Sequence, residues 1–423
     1  MIAPFSPKQK SPEHRRDWYP YSAGFTEKFV HDVLRGPLAS STIVLDPWSG
    51  SGTTTATCVK QGIESVGLDI NPALTVIAHA RLTPRSIGDS LQPLAIEIVE
   101  AARELRVEWT ENDLLRTWMR APTFAHVRAI QAVIHRTLTP ASDFPDPRHL
   151  ARAADELPVL ACFFYAALFA TVRDLLSRFR STNPTWLREP SSAHQRISPS
   201  WSVIEATFLS RVSYFRERLA VGDEARTSRF NSFSTQSAAH LSFEPASFDG
   251  ALTSPPYATR IDYVRGVLPE LCVLGANADS IKSLRKVSTG SPVVRGVHAD
   301  PGPLHSRYGR QVLAKIRTHS SKGSAAYYLP WMSNYLLGLQ AGLFSLARAV
   351  KPHSPICVVV QDSHYKEMHV DLQRIVVEIM DATDRGLLAR YDYAATALRS
   401  RMNPRARIHL PIRHNSESLL ILR

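Results

Sequence analysis

The feature that most limits what this chain can fold into lies between residues 42 and 81. Thr42–Asp46, TIVLD, reads as a buried strand. A glycine-rich turn follows, and then Thr53–Gln61 reads as a helix. Ser65–Ile70 reads as a second strand and Pro72–Arg81 as a second helix. Two short apolar strands joined through one helix need a crossover, so the unit is a parallel βαβ. A short helical run, TEKFVHDVL, comes just before it.

The alternation then stops and later resumes. Helical periodicity dominates residues 82–224, which read as a helical insertion. Strands are expected again at Phe230–Thr235 and Phe248–Thr253, with a helix over Tyr263–Gly275. Residues 277–325 read as a loop-like, basic insertion that includes Arg285, Lys286, Arg307 and Arg310. The remainder returns to α/β: a helix at Ala326–Val350, a strand at Ile356–Gln361, a helix at Val370–Met380, and strands near Ala389–Ala397 and Ser418–Arg423. Two insertions in one α/β scaffold fit this pattern better than three tandem domains. The expected segments are 1–81, 82–224, 225–276, 277–325 and 326–423.

Composition narrows the function. Of 423 residues, 44% are hydrophobic and 21% charged, which excludes wholesale disorder. Fifty Lys and Arg against 38 Asp and Glu give +12, which favours a polyanionic partner, most simply nucleic acid. Cys58, Cys162, Cys272 and Cys357 are far apart and make no C-x-x-C pair. That argues against a zinc ribbon, an iron–sulfur site or a disulfide framework, and suits a reducing cytoplasm. The histidines show no metal-ligand spacing, so no metal is expected. The first twenty residues have no apolar core and do not read as a signal peptide. The longest apolar run, Pro158–Val172, is shorter than the roughly 20 residues of a membrane span and reads as a buried core helix.

Three short motifs carry the chemistry. The first, Asp46-Pro47-Trp48-Ser49-Gly50-Ser51-Gly52-Thr53-Thr54, closes the first strand. Glycines at a strand-to-helix turn let a ligand approach the backbone, and the helix N-terminus offers N–H donors. A P-loop would need Gly-Lys-Ser/Thr there, but Thr53 follows Gly52. The second, Gly67-Leu-Asp-Ile-Asn-Pro72, places Asp69 at the tip of the second strand, where nucleoside-binding folds hold ribose hydroxyls. The third is Thr253-Ser254-Pro255-Pro256-Tyr257 at the end of the strand FDGALT. Prolines have fixed φ and no N–H, so they present rigid carbonyl acceptors. Ser254 Oγ and the Pro255 carbonyl would take both hydrogens of an exocyclic amine, and Tyr257 would stack on the flipped base. Acceptors on both hydrogens favour a pyramidal nitrogen with a freer lone pair.

These motifs together resemble the S-adenosylmethionine-dependent DNA amino-methyltransferases, which methylate cytosine N4 or adenine N6. The resemblance implies a Rossmann-like α/β methyltransferase fold with a mostly parallel sheet and an antiparallel last strand. It implies that Asp46 to Thr54 wrap the cofactor's methionine moiety, that Asp69 binds its ribose, and that Tyr21 and Phe25 close its pocket. Ser254 to Tyr257 would hold the target base, and a serine before Pro-Pro goes mostly with cytosine N4. The family often has an acidic residue after the third strand that meets the cofactor adenine. Gln236 and Ser237 stand there instead, and either could accept that hydrogen bond. DNA is the expected substrate, and a restriction or defence protein an expected companion. The same fold acting on RNA or a protein amide, or serving as a non-catalytic DNA-binding scaffold, are the competing readings.

Overall fold

The computed structural model describes residues 4, 6–7, 18–19, 24–107, 112–140, 146–181, 186–219, 231–292, 303–394 and 416–423. Helix α1 (Glu27–Arg35) precedes strand β1 (Ile43–Asp46), helix α2 (Thr53–Gln61), strand β2 (Glu64–Asp69) and helix α3 (Pro72–Ala80). A helical block follows: α4 (Gly88–Glu104), α5 (Ala121–Leu138), α6 (Leu150–Glu156), α7 (Val159–Leu175) and α8 (Trp201–Arg216). Strands β3 (Asn231–Thr235) and β4 (Gly250–Thr253) lead to the helices α9 (Tyr263–Gly266), α10 (Leu268–Val273), α11 (Ala278–Val287) and α12 (Arg307–Thr318). A π-helical turn, Ser324–Tyr328, runs into α13 (Leu329–Ala349). Strand β5 (Ile356–Gln361), the hairpin β6 (Ser363–Tyr365) and β7 (Met368–Val370), helix α14 (Leu372–Asp381), and strands β8 (Leu387–Ala394) and β9 (Ser416–Leu422) complete the order.

Seven strands form one sheet in the order β3-β2-β1-β4-β5-β9-β8. Strands β3 through β5 in that order pair in parallel, and β9 lies antiparallel between β5 and β8. This is a Rossmann-like α/β sheet. Its strands read as apolar runs because both faces are covered. Val44, Leu252, Cys357, Val359, Leu419 and Ile421 point to the face under α1 and α2. Their neighbours Leu45, Ala251, Ile356, Val358 and Leu420 point to the opposite face, which packs on α12, α13 and α14. The period of two along each strand sorts the side chains between two cores.

The helical block has its own core, which continues onto α3 and α10. Helix α7 is apolar on all sides, and the residues from Ala161 to Arg173 are all buried. Phe163, Phe164, Phe208 and Phe215 are among its largest fully buried side chains. No helix among the described residues is long and apolar enough to cross a membrane.

Two local expectations are corrected. The described parts of 277–325 are helical rather than loop-like. Asn277 and Ser280 form a reciprocal capping box that starts α11. Ser306 caps α12, whose Val312 and Ile316 are buried one turn apart. Both helices are amphipathic, but their few apolar residues stand among dense Lys, Arg and Ser, so the low overall hydropathy hides the periodicity. The helix expected over Tyr263–Gly275 is broken at Val267 into α9 and α10. Pro269 explains the break, because in a continuous helix its ring would clash with the carbonyl four residues back.

Candidate functional site

The five parallel strands finish at one edge of the sheet, and the sequence motifs finish with them. Asp46, Asp69, Thr235, Thr253 and Gln361 are the last residues of β1 to β5. Antiparallel β9 enters from the same edge, because its Glu417 stands opposite Gln361. Ligands of open α/β sheets bind beyond the carboxyl ends of the strands, at the point where strand order reverses. Here that point lies between β1 and β4, where the first and third motifs meet.

The glycine-rich turn is held by backbone contacts to its neighbours. Ser49 N donates to the Leu68 carbonyl at 2.8 Å, and Gly50 N donates to Asp69 Oδ2 at 3.0 Å. Gly50 and Gly52 have φ of 53° and 77°, a left-handed conformation that favours glycine. Gly52 is also required by packing: a Cβ there would stand 2.6 Å from the Phe233 ring and 2.7 Å from Ala78 Cβ. Pro47, Thr53 and Thr54 are buried, and Thr53 Oγ1 accepts from Arg81. Trp48 lies against Gly342 of α13, where an added Cβ would come within 2.5 Å of the indole. Phe25 packs at the start of α1 beside Phe29, and Gly24 lies next to Ser51 and Thr53. The segment before α1 therefore borders the turn. Tyr21 lies outside the described residues.

Asp46 joins two motifs. Its Oδ1 accepts from Thr253 Oγ1 at 2.7 Å and from Trp48 N at 3.3 Å. Burial pushes its carboxyl up to about 6, against the lowering by Thr54, Thr253 and Trp48. Asp69 is also pushed up to about 6 by burial, although the N–H groups of Asn71 and Gly50 donate to it at 2.9 and 3.0 Å. Asp46 is buried and Asp69 half-buried, so two carboxyls lie at one edge of a strongly basic chain. Ser237 follows β3; its Oγ accepts from Ala239 N, and Gln236 Nε2 donates to Ser242 Oγ. Gln236 N donates to the Asp69 carbonyl, so this turn borders the second motif.

The Ser254-Pro-Pro-Tyr257 segment is clamped from three directions. The Pro256 carbonyl accepts from Tyr335 Oη of α13 at 2.8 Å. Tyr257 Oη donates to Glu417 Oε1 at 2.7 Å, and Ser254 Oγ donates to Tyr257 Oη at 3.3 Å. Ser363 Oγ donates to the Ala258 carbonyl at 2.6 Å. Tyr257 is buried, and burial with the nearby Glu417 carboxylate holds its phenol neutral. Pro255 is buried and Ser254 half-buried at the outer end of β4. Glu417, Tyr335 and Ser363 were not foreseen, because each lies more than a hundred residues or a whole element away with no local pattern. Arg81 was missed too: it donates to the Ser51 carbonyl, Thr53 Oγ1 and Glu27 Oε1, and so braces the turn from behind.

The four basic residues of the 277–325 insertion that the sequence offers as DNA contacts, Arg285, Lys286, Arg307 and Arg310, differ in their surroundings. Arg285 pairs with the buried Asp262 at 2.7 Å, which caps α9. Arg310 Nη1 donates to the Leu304 and His305 carbonyls ahead of α12. Lys286 and Arg307 are exposed and have no ion-pair partner among the described residues. On α12, Arg307, Arg310 and Arg317 share the face opposite the buried Val312 and Ile316, and the exposed Lys315 lies on its flank.

Fold and site together make a Rossmann-like α/β scaffold, consistent with a methyltransferase fold, whose three motifs meet at one sheet edge. Residues 2–79 match the family model described as DNA methylase. That span includes the glycine-rich turn and Asp69 and ends before Ser254. The type II methyltransferase M.MjaII of Methanocaldococcus jannaschii is 27% identical over 104 residues, which is 25% of this chain and 19% of that protein. The type II methyltransferase M.BsoBI of Geobacillus stearothermophilus is 24% identical over 312 residues, 66% of this chain and 56% of that protein. This chain thus spans a fifth and rather more than half of the two curated relatives. No solved structure matches it. The matches bear out the resemblance to the N4/N6 amino-methyltransferases.

Proposed function

We propose that this protein is a DNA methyltransferase that moves a methyl group from S-adenosylmethionine to an exocyclic amine, cytosine N4, of a base turned out of the duplex. One observation carries this reading. The Asp46–Thr253 hydrogen bond joins the glycine-rich turn to the strand that ends in Ser-Pro-Pro-Tyr, so a nucleoside site and an amine-accepting loop share one sheet edge.

The residues fit the cofactor. When bound, S-adenosylmethionine supplies an electrophilic methyl group on a sulfonium centre. Asp69, with only backbone donors on its oxygens here, would accept ribose hydroxyls. The backbone N–H groups at the start of α2 and the buried Asp46 carboxyl would face the charged amino-acid end. Phe25 and Ser237 border the same edge and would enclose the nucleoside. Ser254 Oγ and the Pro255 carbonyl would accept the two hydrogens of the target amine and fix its lone pair toward the methyl donor. Orientation of two reactants in this way supplies much of the acceleration in such a transfer. No nucleophilic thiol is involved, since all four cysteines are buried and raised by burial.

A companion restriction enzyme belongs to the same proposal, in keeping with the type II methyltransferase names of both curated relatives. The deciding experiment is nucleoside mass spectrometry of DNA from cells expressing the chain. N4-methylcytosine is expected. N6-methyladenine would move the target base, and the absence of both, with no cofactor heat in calorimetry, would leave a non-catalytic scaffold.

A further inference from the structure

Arg260 follows Tyr257 by three residues and is exposed. Its φ is 55°, a left-handed conformation that strains a residue with a long side chain. Such strain persists only where surrounding contacts enforce it, and it gathers at functional sites. Here the contacts come from two consecutive tyrosines. The Arg260 guanidinium donates to Tyr328 Oη at 2.8 Å and to Tyr327 Oη at 3.4 Å. It lies 4.8 Å and 5.2 Å from the centres of those two rings. Tyr327 and Tyr328 sit on the π-helical turn before α13, a backbone form that is rare and frequent at functional sites.

The cluster is rigid and adjoins the amine-accepting loop. Tyr327 Oη donates to the Pro292 carbonyl at 3.0 Å, and the Tyr328 ring packs edge-on to Tyr365 at 5.0 Å. Helix α13, which continues from the π turn, also carries the Tyr335 that holds the Pro256 carbonyl. Among the described residues no carboxylate pairs with Arg260, so its charge is balanced only by ring faces and phenol oxygens. A guanidinium held by two phenols beside their perpendicular rings, exposed and with no carboxylate partner among the described residues, offers a planar cationic group on which nucleic-acid bases stack.

We infer that Arg260, Tyr327 and Tyr328 form a platform for an unstacked nucleobase of the DNA, beside the nucleotide turned toward Ser254. This rests on the DNA-modifying reading above. Turning one base out leaves its neighbours and its former partner without a stacking surface on one side. A guanidinium–tyrosine face replaces that surface, and the charge meets the adjacent phosphate.

The test compares binding to a labelled duplex that is fully paired with binding to the same duplex carrying one central mismatch, read by fluorescence anisotropy. The wild-type chain should prefer the mismatched duplex by about tenfold. Tyr327→Leu and Arg260→Lys should reduce that preference to under about twofold, chiefly by weakening binding of the mismatched duplex. Tyr327→Phe, which keeps the ring and drops the hydroxyl, should retain it. 2-Aminopurine placed opposite the mismatch or beside it distinguishes the former partner from a flanking base by which one is quenched. Cofactor titration by calorimetry verifies that each variant is folded. The platform is overturned if wild type shows no mismatch preference, if Leu and Lys variants keep it, or if Tyr327→Phe loses it as fully as Tyr327→Leu. A chain that methylates DNA in cells but shows no preference loses only the platform; one that neither methylates nor binds DNA loses the parent reading as well.

Discussion

Ser254 and Tyr257 differ in what surrounds them, and the difference separates their variants. Ser254 is half-buried at the end of β4, and its hydroxyl has one long contact to Tyr257. Ser254→Ala should therefore lower methyl transfer by about a hundredfold with little effect on cofactor affinity, as loss of one well-placed polar contact does. Wild-type rates in a single-turnover assay would remove its acceptor role. Tyr257→Phe keeps the ring and loses the Glu417 contact, so it should be milder than Tyr257→Ala. If Asp46 and Asp69 face the cofactor as proposed, they set the pH dependence of its binding. Both are raised by burial to about 6, above the ordinary value of about 4 for aspartate. An acid that binds its proton more tightly when folded contributes stability at low pH, and that contribution is lost as pH rises through about 6. A cationic nucleoside favours the ionised form, so its binding should strengthen from about pH 5 to about pH 7 with proton release. Calorimetry in buffers of different ionisation enthalpy reads this directly. A flat profile, or one that Asp69→Asn leaves unaltered, would detach the carboxyls from the cofactor.

Helices α11 and α12 divide the basic residues into structural and free ones. Arg285 of α11 neutralises the buried Asp262, which also caps α9. Arg285→Ala should lower stability by about 1–3 kcal/mol, because it removes a partner from a buried carboxylate. Thermal unfolding would show it, and an unchanged midpoint would mean that the pair is dispensable. Helix α12 carries the exposed Arg307, Lys315 and Arg317 and no acidic residue. If it lies along the phosphates, replacing those three with alanine should reduce the log–log salt slope of DNA binding by about three. The fold should remain, since Val312 and Ile316 hold the opposite face. An unaltered slope would move DNA contact to the helical block of α4 to α8.

At the scale of the molecule, one buried cluster ties together three distant stretches of chain. Tyr19 Oη donates to Glu270 Oε1 at 2.5 Å, and Arg173 Nη2 donates to Glu270 Oε2 at 2.9 Å. Arg173 Nη2 also donates to the Gly266 carbonyl. Burial raises the Tyr19 phenol well above its ordinary range, and Arg173 remains charged beside Glu270. Trp18 stacks on Phe215 of α8 at 4.6 Å, next to this cluster. The helical block is thereby fixed both to the N-terminal segment and to the helix that follows Ser-Pro-Pro-Tyr. Arg173→Met would strand the Glu270 carboxylate in a fully buried position and should cost about 3–5 kcal/mol. Urea unfolding is the measurement, and a loss under about 1 kcal/mol would show that the cluster relaxes or hydrates freely.

The amino-acid sequence by itself determined the elements whose signal is local. The βαβ unit of 42–81, the strands that end at Asp46, Asp69 and Thr253, and the apolar core helix α7 were all legible, because periodicity, glycine turns and strand-ending acids act over a few residues. It also offered the three motifs that the fold brings to one sheet edge, since each is contiguous. Only the tertiary structure decided how they meet. Thr253 reaches Asp46 across 207 positions, Glu417 reaches Tyr257 across 160, and Glu270 reaches Tyr19 across 251. Those pairings follow from strand order and from the antiparallel entry of β9 between β5 and β8, which no local pattern encodes. The same holds for α11 and α12, whose short helical turns depend on caps and, in α12, on the burial of Val312 and Ile316 against other elements.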